Sequence, residues 1–387
     1  MTDLSTALDK LLEQPTAVEP EHRARTEFDG VSGYIQTRPL DTPPADYDEL
    51  LRTYGYDPAE VEITGPVRQS RWEVPYRDSD GELTTRWLTS YRITIVARSK
   101  TLALDELLDD IRRRKPRRPA AVTGTGVIVA QASDTQLGKI DGHGVEGTIE
   151  RYFDYVDRSI TEFKALRKRR SLGAAHLIFA GDCVEGNQSQ SGRSMWRTQL
   201  TITEQVRVWR RMLLTTVQAW APLVDELQVS VVGGNHDEAQ RLPVTTRADD
   251  NWATEGAIAV HDALQENPAA YEHVTVQVPP VDQGYMTVQV ADSISTILHG
   301  HQFHKGKAAE WWKSQAYYQG NPGGAHFMCH GHWHSTSVAQ DGPRTIICSG
   351  TFEGGSAWYR EKTGAWSRPG GLVYVTRGGE LSDLSML

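Results

Sequence analysis

Short apolar runs, each followed directly by a polar motif, recur along the chain from residue 127 onwards. Runs of this length that are apolar throughout are typical of strands buried on both faces. Two more runs, TIIC and GLVYV, follow the last motif, and TITEQVRVWRRMLLTTVQAW has the pattern of a helix. The pattern predicts buried strands with helices packed outside them. The five runs and their motifs are VIVAQ before Asp134, AAHLIFA before Gly181, LQVSVV before Gly233, STIL before His299 and AHFM before Cys329.

The first hundred or so residues follow another pattern. DYDELLRTYG has the features of a helix that Gly55 ends, and two strand-like runs flank a DSDG turn in RWEVPYRDSDGELTTRWLTSYRITIVARS. TLALDELLDDIRRRKPRRP is predicted to be a helix because its acidic residues come early and its arginines late, and a Pro-, Gly- and Thr-rich stretch follows it. We predict a small α+β domain at residues 1–118, a linker at 119–126 and a larger α/β domain (α+β in some schemes) at 127–387.

The composition is that of a soluble globular protein. The chain has 387 residues, of which 39% are hydrophobic and 24% charged, and it has no apolar stretch long enough to cross a bilayer. The N-terminal MTDLSTALDKLLEQP lacks the pattern of a secretory signal, and the three cysteines form no CxxC pair, so we expect a cytoplasmic protein. A net charge of -9 argues against coating of nucleic acid by charge alone, so any such contact must be local.

The polar motifs that end the five runs are DTQ, GDCVE, GNHD, HGH and GHWH. Side chains at the ends of adjacent strands project into one crevice, and these are all oxygen or imidazole donors. Such a mixed set suits borderline divalent ions such as manganese, iron or zinc. Each motif alone is weak or moderate evidence, but five in order, each directly after an apolar run, predict a metal site.

The order of these motifs resembles the calcineurin-like metallophosphoesterase superfamily between Asp134 and His334, and SbcD-type nucleases and phage-encoded members most of all. The resemblance implies a sandwich of two mixed β-sheets flanked by helices (αββα). It also implies two metal sites that share Asp182, with Asp134, Gln136 and His334 completing the first and Asn235, His299 and His332 the second.

The chemistry implied by the resemblance is in-line attack on phosphorus by a hydroxide that bridges two divalent ions, Mn²⁺ in the first place, with Fe²⁺, Zn²⁺ or Mg²⁺ as alternatives. His236 resembles the family's non-ligand histidine, which stabilises the phosphoryl group and protonates the leaving oxygen. Glu185 is predicted to orient His236 and to favour its imidazolium form. Asp237 is predicted to cap the following turn instead.

Gln136 departs from the family pattern, because it replaces the usual histidine with a neutral amide. The amide can offer an ion only its carbonyl oxygen or an outer-sphere hydrogen bond, so we expect the first metal to bind more weakly and to favour manganese or magnesium. The GDCVEGN segment also lacks the arginine of the GDxVDRG motif that related protein phosphatases carry.

Three further residues are candidates for substrate binding. Arg193 lies in the loop QSQSGRSMW, where it could extend a phosphate clamp or be solvated. His301 competes with His299 for the ligand role, but the first histidine of HGH is the one that matches the family. His304 follows closely and could reach substrate phosphate, although a solvated loop explains it equally well.

The function predicted first is hydrolysis of phosphodiester bonds in nucleic acid or nucleotides, as in an SbcD-like exonuclease. The predicted location is the cytoplasm of a bacterial cell, where the protein could be encoded by a phage. The SbcD likeness is incomplete, because only some fifty residues follow His334, where SbcD-type enzymes carry a capping region. The alternatives are a phosphomonoesterase or protein phosphatase, and a non-catalytic scaffold with a degenerate site. A homodimer and an SbcC-like ATPase are the predicted protein partners. Nucleic-acid binding, self-association and covering of the active site stay open for the small domain.

Overall fold

The computed structural model describes residues 24–30, 32–97, 104–115, 126–188, 192, 198–241, 244–355, 360–361, 364 and 366–387. The chain divides into two compact units, residues 1–103 and 104–387. In the described part of the chain, none of the helices combines the length and the apolar character needed to span a membrane.

Over residues 24–30 and 32–97, which the structure describes, the first unit forms a four-stranded antiparallel sheet with one short helix. The strands lie in the order β1-β2-β4-β3. The helix begins after Asp46, whose carboxylate accepts a hydrogen bond from the backbone N–H of Glu49 at 2.6 Å and so satisfies one free donor of the first turn. Its Leu50 and Leu51 pack on Ile35, Val61, Ile93 and Ile95 of the sheet. The predicted α+β architecture is confirmed. The bounds are β1 Arg25–Phe28, β2 Ser32–Gln36, α1 Tyr47–Thr53, β3 Val61–Arg77 and β4 Leu83–Ala97.

The helix α2 (Leu104–Arg113) belongs to the second unit, although we predicted that the first domain would extend to residue 118. Ile111 is fully buried in the core of the second unit. The Nδ2 of Asn267 donates to the carbonyl of Ile111 at 2.8 Å, which ties the end of α2 to that unit. The charge pattern of the helix was visible in the sequence, but the side on which it packs was not.

A six-stranded mixed sheet forms the first layer of the second unit. Its order is β15-β14-β5-β6-β7-β8, in which β5 to β8 are parallel and β14 is antiparallel to both of its neighbours. All described residues of β5 and β6 are buried, as the uninterrupted apolar runs predict. The bounds are β5 Gly126–Ala132, β6 Leu172–Ala180, β7 Glu226–Val232, β8 Val274–Gln277, β14 Leu372–Arg377 and β15 Glu380–Met386.

A five-stranded mixed sheet forms the second layer, in the order β12-β13-β11-β10-β9. Its three inner strands are parallel, and each outer strand is antiparallel to its neighbour. The bounds are β9 Tyr285–Val290, β10 Ser293–Leu298, β11 Phe327–His330, β12 Ser337–Asp341 and β13 Arg344–Cys348.

The two sheets pack face to face, and helices cover their outer faces. Val129 and Ile178 of the first sheet meet Ile297 and Phe327 of the second in one apolar cluster. The helices α3, α4 and α5 pack on the outer face of the first sheet and α7 on that of the second. This is the predicted αββα sandwich, which is confirmed. The helices are α3 Gly144–Leu166, α4 Ile202–Trp220, α5 Trp252–Gln265, α6 Pro268–Tyr271 and α7 Ala308–Tyr317.

Candidate metal centre

Five strand ends meet at one edge of the sandwich, and backbone hydrogen bonds hold their loops together. The N–H of Asp134, after β5, donates to the carbonyl of Gly181, after β6, at 3.0 Å. The N–H of Gln136 likewise donates to the carbonyl of Asp182 at 2.9 Å. On the second sheet, the N–H of Gly331 donates to the carbonyl of His299 at 2.9 Å. The predicted motifs are therefore brought together.

The backbone at this edge is strained. Ten non-glycine residues in the described part of the chain have a positive φ, and half of them belong to the predicted site. The left-handed conformation costs a non-glycine residue on the order of 1–3 kcal/mol. It persists only where the surrounding structure imposes it, which is common at functional sites. The five are Asp134 (φ 54°), Gln136 (φ 41°), Asp182 (φ 53°), His332 (φ 71°) and His334 (φ 52°).

The glycine at position 234 allows a close approach to Asp182. A Cβ on Gly234 would lie 2.7 Å from Cγ of Asp182 and would overlap its backbone nitrogen and Oδ1 as well. Any larger residue would push the β7 loop away from the carboxylate. The GNHD motif thus needs glycine before Asn235 for a steric reason.

Asp182, His299 and His332 form a compact cluster. Their ligand atoms lie within 4.8 Å of one another, and the described residues contain no other such group of three or more imidazole, thiol or carboxylate side chains. The Oδ2 of Asp182 lies 3.0 Å from Nε2 of His299, which in turn lies 3.2 Å from Nδ1 of His332. Asp182 and His299 are buried.

The orientation of His299 is fixed from behind. Its Nδ1 lies 2.7 Å from the carbonyl of Ala180 and must donate to it, which turns Nε2 towards Asp182. Burial lowers the pKa of His299, but the Asp182 and Asp134 carboxylates and the hydrogen bond to Ala180 together outweigh it and raise that pKa to about 9. A positive charge at Nε2 is therefore favoured here, whether from a proton or from a cation.

Asn235 adds an oxygen donor to the same side. Its Oδ1 is buried and has no hydrogen-bond partner among the described residues. Its neighbour His236 donates its backbone N–H to Oδ1 of Asp182 at 2.8 Å, which keeps this loop against the cluster. A buried carbonyl oxygen without a partner is costly, and a cation would satisfy it.

His236 and Glu185 form a pair beside the cluster. The Nδ1 of His236 lies 3.0 Å from Oε2 of Glu185, and Nε2 lies 3.9 Å from Oδ2 of Asp182. Burial alone lowers the pKa of His236, but the Asp182 and Glu185 carboxylates outweigh it and raise that pKa to about 9. The side chain keeps 17% of its surface exposed, so a ligand can reach it.

Asp237 was predicted to cap the turn that follows it, but its carboxylate binds backbone N–H groups of residues that precede it. Its Oδ1 accepts the N–H of Val184 at 2.8 Å and its Oδ2 accepts that of Gly234 at 2.9 Å. Burial and the nearby Asp182 carboxylate raise the pKa of Asp237 to about 7. Asp237 therefore joins the β6 and β7 loops and directs no oxygen into the site.

Asp134 and His334 face each other on the far side of Asp182. The Nε2 of His334 lies 3.1 Å from Oδ1 of Asp134, and its Nδ1 lies 2.9 Å from Oε1 of Glu353. Burial alone lowers the pKa of His334, but these two carboxylates outweigh it and raise that pKa to about 10. The Oδ2 of Asp134 accepts the backbone N–H of His332 at 2.9 Å.

Lys139 completes this side of the site. Its ammonium donates to Oε1 of Gln136 at 3.0 Å and forms an ion pair with Glu353. Both side chains of that ion pair are largely buried. The Nε2 of Gln136 lies 3.4 Å from Nε2 of His334. We expected the carbonyl oxygen of Gln136 to face an ion, but it faces Lys139 instead.

The motifs gave no indication of Lys139 and Glu353. Lys139 follows the DTQ motif by three residues, and Glu353 follows the apolar run TIIC, which we predicted to be a strand without assigning its end to the site. The rule that polar residues after buried strands converge, applied to this run too, would have indicated Glu353.

The site fits one ion better than two. Asp182, His299, His332 and Asn235 present a carboxylate, two imidazoles and a buried amide oxygen, which together suit a borderline divalent ion. The other position fits less well, because its amide oxygen is engaged by Lys139 and its imidazole is ion-paired with Asp134, although Oδ1 of Asp134 accepts no hydrogen bond.

The candidate substrate residues differ in position. The ring of His301 lies 5.5 Å from that of His299 and 6.2 Å from that of His332, between centroids, so His301 borders the cluster. His304 is exposed in the loop before α7, with no hydrogen bond or ring contact to the described site residues. Arg193 lies outside the described residues.

No protein-family model matches the sequence, and no curated protein matches it significantly. Solved structures do match. An archaeal phosphodiesterase shares 12% identity, with 67% of this chain and 99% of that chain covered and a TM-score of 0.31. A conserved protein from Streptococcus pneumoniae TIGR4, described as a predicted phosphoesterase, shares 12% identity over 68% and 89% of the two chains, with a TM-score of 0.28.

A hypothetical protein from Pyrococcus horikoshii OT3 shares 9% identity over 67% of this chain and 87% of its own, with a TM-score of 0.34. Vacuolar protein sorting 29 from Cryptosporidium parvum shares 14% over 68% and 97%, with a TM-score of 0.28. Similarity this low establishes no shared activity or substrate.

Proposed function

We propose that the chain is a metal-dependent phosphodiesterase. The observation that carries the proposal is the cluster of Asp182, His299 and His332 with the His236–Glu185 pair directly beside it. A divalent ion bound there supplies an acidified water molecule and offsets charge on the phosphoryl oxygens. A metal position and an independent proton donor in contact with the same carboxylate are the parts that phosphoester hydrolysis needs.

His236 is the proton donor in this proposal. Because Glu185 accepts the hydrogen bond from Nδ1, the proton on Nε2 is the one that His236 can give away. The raised pKa, about 9, keeps the imidazole protonated at neutral pH, as a general acid requires. Glu185 sets the orientation of the ring, and the backbone N–H of His236 on Asp182 sets its place.

The two carboxylate oxygens of Asp182 have different partners. Its Oδ2 faces His299, where the ion would lie, and its Oδ1 accepts the backbone N–H of His236. One buried carboxylate therefore fixes the distance between the metal position and the proton donor. The site residues His236 and His334 are partly exposed, with 17% and 26% of their side chains accessible, so a phosphate ester can approach from this side.

The substrate is proposed to be a nucleic acid or a nucleotide. Support comes from the likeness of the motif order to SbcD-type nucleases, and from the absence of the protein phosphatase arginine in GDCVEGN. The homodimer, the SbcC-like ATPase partner and the bacterial or phage origin stay predictions, as does manganese as the preferred ion.

A substrate panel with added Mn²⁺ tests the proposal. We expect cleavage of bis-p-nitrophenyl phosphate to exceed that of p-nitrophenyl phosphate, and cleavage of labelled single- or double-stranded DNA. His236→Gln serves as the inactive variant and Lys168→Met, at an exposed lysine, as the matched control. Strong preference for the monoester contradicts the diesterase assignment, and diester cleavage without DNA cleavage contradicts only the nuclease part.

The scaffold alternative has its own test. A non-catalytic protein that has lost its site would contain no manganese, iron or zinc after purification and would bind none on addition. We expect the opposite, because the Asp182, His299 and His332 side chains already lie in ligand geometry.

A further inference from the structure

The orientation of the Gln136 amide is decided by Lys139. An ammonium group has three donors and no acceptor, so the amide atom 3.0 Å from Nζ of Lys139 must be the oxygen. The amide nitrogen therefore points to the other side, 3.4 Å from Nε2 of His334. An amide N–H₂ group cannot coordinate a cation. Gln136 thus presents a donor where an ion would need an acceptor.

The charged groups on this side form a chain of ion pairs in which positive and negative groups alternate. The Lys139 ammonium is paired with Glu353, Glu353 accepts from Nδ1 of His334, and Nε2 of His334 faces Asp134. These groups are largely buried, so breaking one pair leaves an uncompensated charge, which costs several kcal/mol. A divalent ion would have to separate these pairs while facing a nearby ammonium of like charge.

The opposite side of Asp182 shows the reverse situation. There the Oδ1 of Asn235 is buried without a partner among the described residues, and three ligand groups converge within 4.8 Å. One side therefore has no cation near its ligand groups among the described residues, whereas on the other the Lys139 ammonium lies among the carboxylates, although Oδ1 of Asp134 accepts no hydrogen bond there. The two sides share only Asp182 as a predicted ligand.

We infer that this chain binds a single divalent ion, at Asp182, Asn235, His299 and His332, and that the ammonium of Lys139 replaces the second ion. This inference rests on the proposed function, since it concerns the same site. Lys139 supplies one positive charge, positioned by Gln136 and Glu353, where a second ion would supply two. Gln136 is then a positioning residue for Lys139 and not a metal ligand.

The direct test is the number of ions bound by the wild-type protein. Apo protein is titrated with Mn²⁺ by calorimetry, and the content of the loaded protein is measured by mass spectrometry of the metal. We expect one ion per chain. Electron paramagnetic resonance gives an independent readout, because isolated Mn²⁺ and a coupled Mn²⁺ pair have different spectra. Two ions per chain with a coupled spectrum would overturn the inference.

Variants test the role of the ammonium. In Gln136→His/Lys139→Met, an imidazole replaces the amide and the charge is removed, so we expect a second ion to bind. Lys139→Arg keeps the charge and is expected to bind one ion, as is the control Lys168→Met at an exposed position. Circular dichroism checks that each variant is folded. If the double variant unfolds, the wild-type and Lys139→Arg titrations still decide the matter.

The outcomes separate the inference from the proposed function. One ion with diester cleavage supports both, and one ion without cleavage supports the inference while the function fails. Two ions with cleavage overturn the inference while the function stands. No bound ion overturns both.

Discussion

His299 and His236 each direct their two ring nitrogens to different partners. In His299, the hydrogen bond from Nδ1 to the carbonyl of Ala180 leaves Nε2 for the metal position. In His236, Glu185 takes Nδ1 and leaves the proton of Nε2 for a leaving group. The partner of Nδ1 therefore decides whether the Nε2 of a histidine is free for a cation or carries a proton that it can donate.

Replacement of His236 should separate chemistry from metal binding. We expect His236→Gln to lower turnover of a phosphodiester by roughly 10²- to 10⁴-fold, because the proton donor is lost, while the Mn²⁺ content stays that of the wild type. Metal analysis and steady-state kinetics on the same preparation check this. A variant that loses its ion together with its activity would place His236 among the ligands instead.

Two single replacements should distinguish the two sides of Asp182. His299→Ala is expected to weaken Mn²⁺ binding by more than the roughly 10- to 100-fold that loss of an outer-sphere partner costs. Gln136→Ala should leave the number of bound ions unchanged, because the amide oxygen is engaged by Lys139. Calorimetric titration of both variants measures this. Equal losses of affinity would mean that both side chains are ligands.

At the scale of single residues, the motifs predicted part of what converges, because Asp182, His299 and His332 form one cluster whereas His304 lies outside it. The contact between His236 and Glu185, which the family resemblance implies, is present in the structure, whereas Asp237 binds the backbone of preceding residues and not the turn after it. Lys139 and Glu353 were missed because their pairing depends on where the loop after β13 meets the loop after β5. No spacing along the chain encodes that contact.

At the scale of elements, the strands buried on both faces were predictable and the edge strands were not. All seven apolar runs named from the sequence are strands, from β5 to β14. The strands β12 and β15 lie at sheet edges and are mostly exposed or half-buried, so their sequences lack a continuous apolar run. An edge strand has only one neighbour, and its composition is correspondingly less constrained.

The N-terminus of α4 offers a prediction about stability. Thr201 and Glu204 form a capping box, in which each side chain accepts a backbone N–H of the other residue. We expect Thr201→Ala to lower the free energy of unfolding by about 1 kcal/mol. Thr201→Ser should retain most of the stabilisation, because serine keeps the hydroxyl group. Urea unfolding measures the free energy of unfolding of both variants. An unchanged midpoint in the alanine variant would show that the cap is not stabilising.

His176 on β6 predicts a loss of stability in acid. It is buried, its Nε2 lies 2.8 Å from Oγ of Ser230 on β7, and burial lowers its pKa from 6.5 to about 3. As the pH falls, His176 is protonated in the unfolded chain before it is protonated in the folded protein. Its contribution to the free energy of unfolding is therefore fully present above pH 6.5 and falls by about 1.4 kcal/mol per pH unit as the pH drops towards 3.

His176→Asn should remove this contribution, so its free energy of unfolding should fall less steeply than that of the wild type between pH 6.5 and 5 when measured with urea. His143→Asn, at an exposed histidine, is the matched control. Parallel acid profiles for the His176 variant and the wild type would contradict a neutral, buried imidazole.

At the scale of the whole molecule, each unit has its own apolar core. The core of the first unit lies between α1 and its sheet, and the clusters of the second unit contain no described residue before α2. The sequence predicted a boundary at residues 119–126, but α2 packs on the second unit, and the compact units divide between residues 103 and 104.

Separate cores predict that residues 104–387 fold alone. We expect this fragment to unfold cooperatively in circular dichroism and to bind Mn²⁺ with the same stoichiometry as the full chain, because every described site residue lies within it. A fragment that is unfolded, or that binds no ion, would show that the second unit depends on the first.

The last strands of the chain complete the surroundings of the first motif. The carbonyl of Asp134 accepts hydrogen bonds from Thr351 and Phe352, and Thr351 lies 217 residues further along the chain. The strand β14 also supplies one of the two neighbours of β5. A ribosome therefore releases Asp134 long before the groups that hold it in place. The surroundings of Asp134 can therefore close only after Thr351 and Phe352 have reached the end of β5, and a contact between residues so far apart in the chain forms slowly during folding.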